Sequence, residues 1–444
     1  MSKLFTRFIA LIMMIVLVAS FGAGCGNSDA ENSDSSGSKA NNGISEGIDP
    51  EDYRDTEVTY VTWKDPNLNE DGLAVEKFEK KYGIKVNVQL VAQSKYVNTI
   101  AADIAAGTQG DIFFENGTFP ASLNVMQPLD AACLDLSDPI WNQALVKAST
   151  LAGHPYLVDT VSNVWSEVDI CVYNKHIFES NNITSPEEYY EAGKWTFANF
   201  RKAAADVSAL GKDYTGACLI GNPALAAAGS AFFTYKDDRI HSKVDDHLYQ
   251  VMNFLSQMHS DGLVTLSRSD FQDGRHGMAI TNCFGLKKTG YFTQLNPDQL
   301  GATYMPKWDE NSEHQVSGIY RGWGLIEGTD NPVAAGLFLR EYLDVNNYDL
   351  EETFQNKEVG NFFFQVTGEY SESTLHYLNL KSAVGMGELY NESWSTNTPD
   401  QMKTYIDSNL HVINQMCDKA NDIIAKELKQ IEEDEASGKL SKPE

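Results

Sequence analysis

Basic side chains are scarce in this sequence. Lys and Arg number 34 against 62 Asp and Glu in 444 residues, a formal net charge of -28. A nucleic-acid binder needs a basic footprint to displace counterions from phosphates, so this balance argues against nucleic acid as a partner. A neutral or cationic ligand fits it better. Cysteine is thin as well: there are six, none in a CxxC spacing. Setting Cys25 aside, the remaining five cannot all pair; buried thiols are the default reading, with one or two disulfides as the alternative in an exported protein. Catalytic and metal signatures are missing. The nine histidines show no HExxH, and there is no P-loop, dinucleotide fingerprint or GxSxG elbow. Asn67-x-Asn69-x-Asp71-Gly72 has part of a calcium-loop pattern, but its first ligand is Asn and its twelfth position, Phe78, cannot ligate. No catalytic residue, metal or cofactor is therefore expected. Nor is there an internal repeat of solenoid length.

What is present begins with an export signal. Lys3 and Arg7 form a positive start, Phe8 to Phe21 is apolar, and Gly22-Ala23-Gly24 supplies small residues before Cys25. That ending resembles a bacterial lipobox, with Gly22 where Leu is preferred, and it implies a lipidated Cys25 as the mature N-terminus. Two or more acyl chains at ~0.8 kcal/mol per buried CH₂ hold a protein firmly at a membrane surface. The expected location is extracytoplasmic, anchored to the outer face of the bacterial cell membrane. Residues 1–24 are thus read as signal peptide. Residues 25–55 are read as a lipidated cysteine and a disordered tether, since Ser, Asn, Gly, Asp and Glu dominate and little apolar surface can be buried. Such a coil spans on the order of 30 Å.

The folded part reads as two or three domains by length. It opens with strand, helix, strand, helix, strand: Val58–Trp63, Leu73–Tyr82, Ile84–Val91, Tyr96–Ala106 stopped by Gly107, and Gly110–Phe114. This predicts a parallel sheet covered by helices, with any ligand beyond the carboxyl ends of the strands. A second unit starts near the strand Ile170–Tyr173 and has its own βα pattern. Ser317–Asp344 packs a polar-aromatic corner, a strand and a helix into 28 residues, with Gly322 and Gly324 flanking Trp323. Two helices, Met402–Leu410 and Ile413–Ile431, are expected near the end. A charged tail from Glu432 is expected to fray.

Six features in this order carry a resemblance: the lipobox-like leader, the strand ending at Trp63 with FEKKYGIKVNV, GDIFFENG, VYNKHIFES, FQDGRHGMAI and GWGLIEGTDNPVAAGLFLREYL. Together they resemble the extracellular solute-binding proteins of ABC transporters, in the carbohydrate-binding family that includes maltose-binding protein. The resemblance implies an α/β, two-lobe periplasmic-binding-protein-like fold of type II, each lobe a sheet flanked by helices, with a ligand cleft between. It places one lobe at 56–164 plus 278–327, the other at 165–277 plus 328–435, and a tail at 436–444. It also implies a monomer that captures a carbohydrate, shifts toward a closed form, and presents that form to an ABC transporter membrane permease.

A sugar offers flat C–H faces and a rim of hydroxyls, so its site needs aromatic plates beside planar donors and acceptors. Strand ends supply the candidates: Trp323 with Arg321, Trp63 with Lys64, Glu115 with Asn116, Asn282 with Phe284, then Trp165, Asn222, Asp159 and Trp308. Their bland alternatives are core packing for the aromatics and solvated turns for the polar groups. Competing functions are a secreted glycoside hydrolase, which needs two carboxylates about 5–10 Å apart across a cleft, a surface polysaccharide-binding protein, or the same fold holding a non-sugar solute.

Overall fold

The β-branched and aromatic run Val58–Thr62 makes Glu57–Thr62 a strand, β1, buried along most of its length. The computed structural model that shows this describes residues 43–443 apart from 64–65, 67–70, 116–120, 161–166, 220, 267–270, 272, 287–294, 317, 320, 346–353 and 368–392. Helix α1 (Asp71–Tyr82) leads to β2 (Lys85–Leu90), and α2 (Tyr96–Ala106) leads to β3 (Ile112–Glu115). Gly107, at φ 69°, closes α2 with a left-handed residue whose N–H reaches back to the Asp103 and Ile104 carbonyls. The short β4 (Met126–Gln127) follows, then a small ribbon of β5 (Thr150–Leu151) and β6 (His154–Pro155).

After β7 (Glu167–Val168) the chain builds a second sheet. Its parts are β8 (Ile170–Asn174), α3 (Phe197–Ser208), β9 (Thr215–Cys218) and α4 (Gly221–Ala227). The hairpin of β10 (Phe233–Lys236) and β11 (Arg239–Ser242) comes next, then α5 (Asp246–Ser260), β12 (Val264–Thr265), β13 (His276–Thr281), α6 (Cys283–Leu286) and β14 (Leu300–Thr303). β15 (Gly318–Ile319) pairs with β7 as a two-stranded crossing ribbon. β16 (Gly322–Ile326) returns to the first sheet, and α7 (Pro332–Val345) and the long α8 (Pro399–Ser437) complete the chain.

The first sheet has the order β2-β1-β3-β16-β4 and the second β12-β9-β13-β8-β14. β1 runs parallel to β2 and β3 as expected, but β16 enters antiparallel to both β3 and β4. The first sheet is therefore mixed. Pairing with β8 and β9 also puts β13 and β14 in the second sheet, not in the first as the expected lobe boundaries had them. β15 and β16 return the chain to the first lobe before α7. Helix α7, expected on the second lobe, packs on the first: Phe338 meets Phe78 of α1 edge-on at 5.2 Å and Tyr60 of β1 at 6.0 Å. Burying each such ring contributes roughly 2–3 kcal/mol, which outweighs any local preference about where a helix lies.

Two further expectations change. Residues 43–55 are folded rather than tether. The Gly43 N–H donates to Asp138 Oδ2 at 2.9 Å, Ile44 forms a bridge with Leu134, and Ile48 and Tyr53 pack on the core of the first sheet. At the other end, the two expected helices are one, α8, and the charged tail does not fray at Glu432. The helix continues to Ser437, Gly438 caps it at φ 78°, and Leu440 is buried. Among the described residues no helix is long and apolar enough to cross a membrane.

Candidate functional site

The carboxyl edge of the first sheet is split by one side chain. β1 and β3 stay in register only through Tyr60 with Ile112 and Val61 with Phe113. At the next position the Tyr96 hydroxyl stands between the strands, donating to the Val61 carbonyl at 2.8 Å and accepting from the Phe114 N–H at 2.9 Å. Burial, more than any neighbour, pushes this phenol well above its ordinary pKa, so it remains a donor. Past the wedge the strands carry Trp63 and Glu115 apart. The half-buried Trp63 ring stands edge-on to Tyr96 at 4.7 Å and tilted against Phe114 at 5.6 Å. Glu115 is buried, accepts the Ser122 hydroxyl at 2.9 Å and lies opposite Gly322 of β16.

Across β16 lies the segment Tyr156–Thr160. Val158 and Trp323 exchange backbone bonds at 2.9 and 3.0 Å, which carries Asp159 to the start of β16, beside half-buried Arg321. Asp159 is fully buried. Its Oδ1 accepts the Thr160 N–H at 2.8 Å, and its carbonyl accepts the Asn142 N–H at 2.8 Å. The glycines flanking Trp323 have a definite purpose here. A Cβ on Gly322 would stand 2.9 Å from the Val158 carbonyl oxygen, and one on Gly324 would stand 3.0 Å from that of Tyr156. They permit this close crossing.

The topology thus gathers Trp63, Glu115, Asp159 and Arg321 at one sheet edge. Trp323, expected as the leading aromatic plate, is instead core. It is 3% exposed, its ring packs on Phe114 at 4.6 Å and Tyr342 at 6.2 Å, and its Nε1 donates to the Tyr60 hydroxyl at 3.2 Å. Lys64, Asn116, Trp165 and the lipidation candidate Cys25 lie outside the described residues.

A second group sits at the carboxyl edge of the second sheet. Asn282 is half-buried and directly follows β13; Asn222 lies in the first turn of α4 after β9, and Phe284 lies in α6. Trp308, half-buried, lies against Phe197 at 6.1 Å, His247 at 5.3 Å and Phe254 at 5.7 Å. Phe197 and His247 open α3 and α5, helices that lead into β9 and β12, so Trp308 also belongs to the carboxyl-edge end of this sheet. Sequence reading missed Tyr96 and Ser122. Tyr96 acts on residues 35 and 18 positions away, and only its place at a helix start, after the strand that needs it, hinted at a role.

Residues 74–348 match the family described as bacterial extracellular solute-binding protein. A comparison with curated proteins finds no match. Among solved structures, the chain is similar to the galacto-N-biose/lacto-N-biose I-binding protein of an ABC transporter from Bifidobacterium longum, in complex with lacto-N-biose. The TM-score there is 0.57 at 14% identity, over 84% of this chain and 97% of that one. It is similar also to the sugar-binding protein MalE from Xanthomonas citri, with TM-score 0.54, 13% identity, and 85% and 99% coverage. A third is an ABC transporter solute-binding protein from Thermotoga lettingae bound with α-D-tagatose, with TM-score 0.51, 15% identity, and 83% and 100% coverage. At these identities the likeness shows the fold: two lobes of type II periplasmic-binding-protein architecture, each a sheet flanked by helices.

Proposed function

Because this chain belongs to the bacterial extracellular solute-binding protein family, we propose that it captures a carbohydrate between its two lobes and delivers it, without chemistry, to an ABC transporter permease. The observation that carries this reading is the presence, at one sheet edge, of a half-exposed aromatic, Trp63, and a half-buried guanidinium, Arg321, with the buried carboxylates Glu115 and Asp159 held within the same edge. An aromatic face covers the C–H side of a pyranose ring, and planar charged groups take its hydroxyls bidentately. Asn282, Asn222, Phe284 and Trp308 supply the facing edge, and Lys64, Asn116 and Trp165 remain candidates from the sequence. Ligand favours closure by its greater affinity for the closed form. The protein works as a monomer held to the outer face of the membrane through lipidated Cys25, on a tether that ends where the fold begins at Gly43.

Calorimetry and thermal shift of the secreted form, from residue 26 onward, against mono- and oligosaccharides test the reading. Saturation at about 100-fold excess over Kd should add about 2.7 kcal/mol of stability for the cognate sugar. Silence across the panel with a shift on amino acids, peptides or polyamines would move the proposal to a non-sugar solute. Release of reducing ends in the same samples would replace capture by hydrolysis.

A further inference from the structure

Helix α8 is tied to both lobes, and its two ends are tied differently. Its 39 residues extend roughly 58 Å at 1.5 Å per residue. The first part buries Met402, Ile406, Ile413 and Cys417. The Tyr249 hydroxyl of α5 donates to Asp407 Oδ1 at 2.6 Å, and the Asn421 amide exchanges two bonds with Ile240 of β11, at 2.8 and 2.9 Å. Six residues further on, its partners belong to the other lobe and are titratable. The Tyr156 hydroxyl donates to Glu427 Oε1 at 2.7 Å. His154, fully buried, sets Nδ1 2.8 Å from Asp130 Oδ1 and Nε2 3.2 Å from Glu435 Oε1. Beside these contacts, a small cavity of about 50 Å³ lies between Gln127, Glu327, Glu427, Ile431 and Leu440.

We propose that the C-terminal half of α8 is a protonation-controlled latch: it fastens the helix to the first lobe in mild acid and releases it as the pH rises, while the N-terminal half stays fixed to the second lobe. The groups that face one another are Asp130, His154, Tyr156 and Glu327 from the first lobe, Lys426, Glu427, Asp434 and Glu435 from the helix, and Lys439 just after it, which pairs with Asp434 at 3.1 Å. Burial raises the Glu427 carboxyl above its ordinary value; Glu327 and Asp434 add to this, and the Tyr156 bond and Lys426 oppose it. Glu327 is raised by burial and Asp434 against Lys439 and Lys426. Both acids therefore favour protonation when docked. Their contribution to docking is full below about 4.5, the ordinary glutamate value, and is lost as the pH climbs through the raised values.

Hydrogen exchange of the ligand-free secreted protein at about pH 5.5 and about pH 8, corrected for intrinsic rates, reads the latch directly. Protection over residues 424–438 should be at least about tenfold higher at the lower pH, while that over 402–413 changes less than about twofold. Glu327→Gln with Glu427→Gln, which keeps an acceptor for Tyr156, should hold 424–438 protected at both pH values. Equal protection at both, a change shared by 402–413, or a pH dependence that survives in the double variant would overturn the proposal. Should the double variant fail to fold, Glu327→Gln alone must shrink the pH difference at least about twofold. No sugar enters this experiment, so its outcome is separate from that of the binding panel.

Discussion

The indole Nε1 of Trp323 donates to the hydroxyl of Tyr60 at 3.2 Å, deep in the core of the first lobe. That bond joins β16 to β1 across β3, and Phe114 and Tyr342 pack against the ring. Trp323→Ala should therefore cost roughly 3–5 kcal/mol in urea unfolding, as large-to-small changes in a filled core do. Trp323→Phe, which loses less volume, should cost about half as much. Sugar affinity measured well below the melting point should change little. A variant with unaltered stability and lost affinity would return Trp323 to the binding surface.

The misplacement of this residue shows where sequence reading stops. Strands and helices from β1 to β3 were legible because their evidence is local: β-branched and aromatic residues in β1, helical spacing in α1, alternation of Val86, Val88 and Leu90 in β2, and the glycine that ends α2. Gly322 and Gly324 were correctly read as permitting close approach. What approaches is backbone, the Val158 and Tyr156 carbonyls, rather than a ligand, and those partners lie more than 160 positions away in the chain. The return of β16 antiparallel beside β3, the docking of α7 on α1 and the folding of Gly43–Tyr53 onto the core are likewise set by long-range burial. No local pattern encodes it. That Trp63 and Glu115 stand at strand ends of the first sheet was legible because strand ends in a βα sheet can be read from order alone.

Gly336 gives a contest between two known magnitudes. Inside helix α7, Gly→Ala should stabilise by about 1 kcal/mol through helix propensity. A Cβ at Gly336, however, would lie 1.9 Å from the Ala132 carbonyl oxygen and 2.9 Å from its carbonyl carbon. Backbone cannot swing away as a flexible side chain can, so the clash wins. Gly336→Ala should lower stability by more than about 2 kcal/mol, against the gain expected for an open helix. Chemical denaturation decides it, and a net stabilisation would mean that the α7 contact is looser than drawn.

The described thiols should react in a fixed order. No disulfide joins Cys133, Cys171, Cys218 and Cys417. Cys171 and Cys218 are fully buried, and Cys417 is mostly so, its thiol pushed up to about 11 chiefly by burial. Near neutral pH a thiol at that value is thiolate in only about one molecule in a thousand or fewer. Burial also raises Cys133, but it is the least enclosed of the four. Alkylation of the native protein followed by peptide mapping should modify Cys133 first. Cys171 and Cys218 should appear only with global unfolding, on the time course of loss of tertiary signal. Labelling of Cys171 in the folded protein would show that the second sheet opens locally.

Tyr96 and Trp63 allow the site and its scaffold to be separated. Tyr96→Phe keeps the ring that meets Trp63 but removes the hydroxyl between Val61 and Phe114. If the strands cannot close the gap, a buried N–H and a buried carbonyl lose their partner, at a cost of roughly 1–3 kcal/mol. If they do close, β1 and β3 zip by one more residue, stability recovers, and the edge that carries Trp63 and Glu115 narrows. Either outcome changes how those two side chains are presented, so sugar affinity should fall in both. Trp63→Ala acts the other way round. Its ring is half-exposed, edge-on to Tyr96 and tilted against Phe114, so stability should drop by about 1 kcal/mol while sugar affinity falls more than about tenfold. Calorimetry and denaturation on both variants give four numbers, and the reading requires a stability loss that varies with the fate of the gap in the first and an affinity loss in both. If Trp63→Ala binds as the parent does, the aromatic plate lies elsewhere, and Trp308 at the facing edge becomes the residue to remove.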